Sequence, residues 1–215
     1  MILGVRIMVN KDLVRYIKDK IFPIYNKNDK AHRLDHVNYV IDRSMRFANT
    51  VDDIDMDMVY TIAAYHDIAH HIDAATHEAL SAKYLLEDKG IREYFSDSSI
   101  KIMAEAIEDH RASIDYEPRS VYGKIVSSAD RNTDIPTPLM RTYEYRKNHS
   151  PHMSDDEIME ECRQHLLDKF GATGYAKTKM YFKDEAYEKF LLDLDTLARD
   201  KTAFKKEFYK VNNIK

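Results

Sequence analysis

The chain has 215 residues, 44% hydrophobic and 33% charged, a balance that favours a packed domain over a disordered chain. Its formal net charge of −4 gives no bulk attraction to nucleic acid, so a nucleic-acid partner is not expected. A single cysteine, Cys162, excludes an internal disulfide and suits a reducing compartment.

The run over 1–10 is interrupted by Arg6 and has no small-residue cleavage signature, so it does not read as a signal peptide. No stretch reaches the roughly 18 apolar residues of a membrane span, and the expected location is cytoplasmic. Only five glycines and five prolines interrupt the chain, which favours long helices. Residues 35–48 carry Val37, Val40, Ile41, Met45 and Ala48 at helical spacing, behind Asp35 as a cap or first-turn acid. The acidic stretch Asp52, Asp53, Asp55 and Asp57 reads as capping for the next helix, because it lacks the glycine and glutamate of a calcium loop.

Residues 56–70 are apolar on most sides, with Met58, Val59, Ile62, Ala63, Tyr65 and Ala69, and predict a buried helix. Residues 76–88 predict a helix stopped by Gly90. Residues 97–110 and 119–130 predict two more, the first behind Asp97 and Ser98. Pro136 and Pro138 mark a break in a loop over 131–138, and two final helical stretches lie near 154–170 and 180–208, separated by Gly171 and Gly174. No alternating strand pattern of useful length occurs. The fold class is therefore all-α: a helical core over about 31–134 with a C-terminal helical subdomain over about 139–215, read as one domain.

Six of the ten histidines fall between His32 and His77. The string Tyr65-His66-Asp67-Ile68-Ala69-His70-His71 places a His-Asp pair near the end of an apolar helix. Histidine and aspartate are poor core residues unless paired or metal-bound. A hard or borderline divalent ion accepts imidazole nitrogen and carboxylate oxygen together. Two adjacent helical residues point about 100° apart, so other helices have to close the shell. Spacing alone does not choose those partners among many acids.

Four segments in order resemble the HD-domain superfamily of metal-dependent phosphohydrolases. They are His32-Arg33-Leu34-Asp35-His36-Val37, Ala63-Ala64-Tyr65-His66-Asp67-Ile68-Ala69, Ala106-Ile107-Glu108-Asp109-His110, and 123–131, which ends Ser128-Ala129-Asp130-Arg131. The resemblance spans about 31–134, and a weaker one to small bacterial HD hydrolases continues through His165 to Phe182. Ala31 and Ser128 depart from a common glycine and a common acid. The Gly-Tyr-Pro signature of the cyclic dinucleotide branch and the Glu-Asp pair of guanosine tetraphosphate hydrolases are missing.

The resemblance implies an HD helical bundle in which His36, His66, Asp67 and Asp130 hold a divalent ion (Mn, Mg, Ni, Co, Fe or Zn). It implies Asp67 and His110 as catalytic groups, and His70, His71, His77 and His110 as candidates for a second metal or for substrate phosphate. Lys124 and Arg131 flank the last motif as candidate phosphate ligands. For His70, His71 and His77, exposure at a helix end is the competing expectation. His32, His149, His152 and His165 read as surface or loop residues. The implied substrate is a small phosphorylated molecule such as a nucleotide, with no membrane partner and a homodimer left open. A metal-binding sensory module without turnover and a di-iron HD oxygenase are the alternatives.

Overall fold

The structure, a computed structural model, describes residues 9–29 and 32–214. The run over 1–8, Lys30, Ala31 and Lys215 lie outside the described residues. The chain divides into two compact units, 1–130 and 131–215. Among the described residues there are ten α-helices and no strand, as expected for an all-α fold. No helix is long and apolar enough to cross a membrane.

The first unit opens with α1 (Lys11–Tyr16), capped by the Asn10 side chain on the amides of Asp12 and Leu13. The chain continues through a π turn (Ile17–Ile21) and a 3₁₀ turn (Phe22–Lys27). Leu13, Ile17, Ile21 and Tyr25 are all buried, a four-residue repeat that survives the change of helix type. Next come α2 (Leu34–Ala48), α3 (Met56–Tyr65), α4 (His77–Glu87), α5 (Asp97–Glu108) and α6 (Val121–Ala129). Helix α3 is central: it packs on α2, α4, α5 and α6, and each of its residues except Asp57 is buried. Side-chain caps fix its start at Asp55, the start of α5 at Ser96 and that of α6 at Ser120.

The second unit comprises α7 (Pro136–His149), α8 (Asp155–Phe170), a 3₁₀ turn (Tyr175–Lys179), α9 (Glu185–Arg199) and α10 (Lys201–Val211). Its core joins Leu139, Ile158, Cys162, Leu166, Phe190, Leu194, Phe204 and Phe208. A capping box between Ser154 and Glu157 starts α8.

Four features differ from the expected elements. Pro136 starts α7 instead of breaking the chain, because proline at the first helical position loses no hydrogen bond. The stretch near 180–208 is two helices, and Asp200 separates them by capping α10 through the amides of Thr202 and Ala203. Helix α4 ends at Glu87, and Gly90, with φ of −71°, is no left-handed cap. The helix expected over 56–70 stops at Tyr65. From there the amides of Ile68, His70 and Ile72 bond three residues back, to Tyr65, Asp67 and Ala69.

Candidate metal centre

The early end of α3 shapes the site. His66 is its C-terminal capping residue, and Asp67 opens the turns that follow. His36 lies in the first turn of α2, and Asp130 is the capping residue just past α6. His77 starts α4, and His110 follows α5 by two residues. The ends of five helices therefore converge, and their side chains meet at one carboxylate.

Asp67 Oδ2 lies 3.4 Å from His36 Nε2 and 3.3 Å from His66 Nε2. Asp130 Oδ1 joins this set at 3.2 Å from His36 Nε2 and 4.0 Å from His66 Nε2. The other oxygen, Asp67 Oδ1, lies 3.1 Å from His77 Nε2 and 3.4 Å from His110 Nε2. One carboxylate thus serves two donor sets, His36–His66–Asp130 on one oxygen and His77–His110 on the other. The ligand atoms of His36, His66 and Asp67, and those of Asp67, His77 and His110, lie close enough to hold an ion, with Asp130 beside the first group.

The imidazoles are oriented by the backbone. Nδ1 of His66 donates to the Ala63 carbonyl at 2.8 Å, Nδ1 of His77 to Ala74 at 2.9 Å, and Nδ1 of His110 to Ile107 at 2.6 Å. Each bond reaches three residues back. With Nδ1 carrying the proton, Nε2 of each neutral ring presents a lone pair, the tautomer a metal ligand needs. Yet His77 Nε2 and His110 Nε2 face each other at 3.1 Å, as do His36 Nε2 and His66 Nε2 at 3.3 Å. Asp67 Oδ1, fully buried, finds no well-aligned hydrogen-bond donor. Lone pairs crowded around an unsatisfied carboxylate oxygen repel one another unless a cation sits among them. The donor set therefore fits a divalent metal.

In the metal-free site, protons take the place of that cation. Burial opposes charge on His36, but hydrogen bonds to Asp130 and Asp67 outweigh it and lift its pKa to about 9. His77 is raised in the same way: burial opposes, and Asp67 prevails. Burial also opposes ionisation of Asp67 and Asp130. The surrounding histidines win, led by His66 for Asp67 and His36 for Asp130, and hold both carboxyls well below the usual range. His66 and His110 are at most 1% exposed, whereas the side chains of His36 and Asp130 are 15% and 23% exposed. The first donor set is the one that opens to solvent.

Residues outside the motifs hold these groups. Buried Arg43 donates from Nη1 to the Ala129 carbonyl at 3.0 Å, which ties the end of α6 and hence Asp130 to α2. Buried Asn28 donates to the Asp67 carbonyl at 2.9 Å and accepts from the His71 amide at 3.0 Å, which helps bend the chain away from helix after Tyr65. Asp109 is buried against the Arg119 side chain and amide, 3.0 and 2.7 Å away, and anchors the residue before His110. Gly123 lets α6 approach: a Cβ there would meet Asp109 and Pro118 side chains at 3.1 Å.

The remaining expected residues go elsewhere. His70 does not share a face with His66, since α3 ends first. It lies 3.3 Å from Asp29 Oδ2 and stacks on His32 with ring centroids 3.7 Å apart. His32, expected as a surface residue, belongs to this cluster, and Asp29 carried no signal in the sequence. His71 is exposed, with Nδ1 3.1 Å from Asn28 Oδ1. Lys124 pairs with Glu117 at 2.6 Å. Arg131 is buried and donates to the Lys179 carbonyl at 3.4 Å. His149, His152 and His165 are exposed.

Fold and site together define an all-helical protein whose first unit gathers histidine and aspartate side chains that could hold a metal. Residues 33–133 match the family model of the HD domain, a span that contains all six converging residues. The structure of the chain is similar to the crystal structure of a predicted HD superfamily hydrolase from an uncultured Thermotogales bacterium. The TM-score is 0.50 and the identity 20%, over 92% of this chain and 89% of that one. That similarity establishes the fold. Among curated proteins, none matches the chain.

Proposed function

We propose that this protein is a divalent-metal-dependent phosphohydrolase that cleaves a phosphate ester or anhydride of a nucleotide or similar small molecule. The observation that carries the reading is the Asp67 carboxylate shared by two sets of oriented imidazoles. His36, His66, Asp67 and Asp130 would hold one ion, and Asp67, His77 and His110 a second. When bound, such ions activate water and offset charge that develops on phosphorus. The HD match and the hydrolase name of the structural neighbour point the same way.

The protein groups have separable roles. Asp67 stays ionised, so it accepts hydrogen bonds from water and orients it without retaining its proton. His110 has its Nδ1 proton committed to Ile107, which leaves Nε2 to act as ligand or base. The open side at His36 and Asp130 is where a phosphate can enter. In the reaction, the water oxygen bonds to phosphorus as the bond to the leaving-group oxygen breaks, and the leaving group takes up a proton. Lys124, partly exposed beside Glu117, remains a candidate phosphate contact, whereas Arg131 is buried on the Lys179 carbonyl. The implied setting is the cytoplasm, with a homodimer left open.

The shared carboxylate also suits a second reading, a di-iron oxygenase. A phosphate-release screen over nucleotides and phosphodiesters separates the two, run with Mn, Mg, Ni, Co, Fe or Zn and with His66→Ala as control. Release that depends on metal and disappears in the control supports hydrolysis. Two irons per chain with oxygen uptake and no phosphate release would replace it with the oxygenase. Bound metal with neither reaction would leave a sensory module.

A further inference from the structure

Beside the paired centre lies a cluster that neither donor set uses. Asp29 Oδ1 and Oδ2 are 2.9 and 2.8 Å from His32 Nδ1, and Oδ2 is 3.3 Å from His70 Nδ1. One donor atom from each of the three residues lies within 4.8 Å of the others. The chain brings them together by two turns: the His32 amide bonds the Asp29 carbonyl, and the break after α3 swings His70 away from His66. The cluster is adjacent to both donor sets, since ring centroids are 5.7 Å apart for His32–His36 and 5.0 Å for His70–His77.

We infer that Asp29, His32 and His70 form a third cation site, for a divalent transition ion such as Co, Mn, Fe, Ni or Zn. Two imidazoles and one carboxylate are a donor set such ions accept, and they leave positions for water or an external ligand. The single negative charge of Asp29 between two imidazoles suits a cation and disfavours a free anion. The rings are stacked, 18° from parallel. One of them has to turn about its Cβ–Cγ bond for both in-plane lone pairs to reach one ion. Asp29 is half exposed, and the two histidines are 18% and 13% exposed, so the site opens to solvent on the carboxylate side.

The test counts ions. Wild type, His32→Gln/His70→Gln and Asp29→Asn are dialysed to equilibrium against cobalt(II), and bound cobalt per chain is measured beside circular dichroism. Wild type is expected to retain one ion more than either variant, with helicity unchanged. Equal cobalt in wild type and variants overturns the site. If the double variant loses its fold, Asp29→Asn decides alone, because its side chain is half exposed. A His77→Gln/His110→Gln variant reads the paired centre separately: it loses that centre's cobalt and keeps the extra ion. Failure of the two-metal reading therefore shows as no loss in this last variant, whatever the first comparison gives.

Discussion

The two units of the chain bury different things. The second unit encloses aliphatic and aromatic side chains, with Phe190, Phe204 and Phe208 at most 2% exposed and Arg131 and Asp184 as its buried charged residues. The first unit buries Arg43, His66, Asp67, His77, Asp109 and His110 together. Burying an ionisable group costs several kcal/mol unless it is paired or metal-bound, roughly as much as a whole domain gains on folding. A chain that stabilises only its fold has no use for five helix ends converging on one carboxylate. The contrast sets a buried ionisable cluster in the first unit against an apolar core in the second.

Three substitutions or conditions sharpen this contrast. Asp67→Asn removes the group common to both donor sets. Phosphate release by the metal-loaded protein should fall by about 10³-fold or more, and steady-state kinetics on the substrate found in the screen checks it. Full activity in that variant would remove Asp67 from the mechanism. Phe204→Ala in the second unit should act on stability instead. A fully buried phenylalanine leaves a cavity that costs roughly 3–5 kcal/mol. Denaturant unfolding should show the loss, while the folded variant keeps wild-type metal content.

The third concerns pH in the metal-free protein. His36 has its pKa raised from 6.5 to about 9, so its proton stabilises the fold fully below pH 6.5, and that contribution is lost as pH rises through 9. EDTA-treated protein should melt at a lower temperature at pH 9.5 than at pH 6.5, and His36→Gln should shrink the difference. Metal binding runs the other way: the ion displaces that proton, so affinity rises with pH over the same window. Isothermal titration in buffers of different ionisation heat reads the proton release at pH 7.

Most of the converging residues were legible over about 31–134 because they stand in motifs of fixed order. The second donor set was harder. His110 stands at the end of the third segment, but His77 carries no spacing that separates it from His70 and His71, and only the carbonyl three residues back reveals that its ring is aimed. The end of α3 at Tyr65 was hidden because Ile68 and Ala69 continue the apolar pattern. Periodicity reports burial and not the switch to bonds three residues back. Arg43 was a readable signal, a cation inside the buried stripe of α2. Asn28 and Asp29 were not, since a single amide or acid in a turn has no pattern. The spacing of Leu13, Ile17, Ile21 and Tyr25 shows the opening helical segment only once Pro23 is seen to fit a helix start.

In the proposed centre Asp67 joins two ions, and electron paramagnetic resonance of the protein loaded with two equivalents of manganese(II) reads that bridge. The multiline spectrum of a magnetically coupled pair is expected, and the His77→Gln/His110→Gln variant should convert it to that of isolated ions. A wild-type spectrum of isolated manganese alone would contradict it.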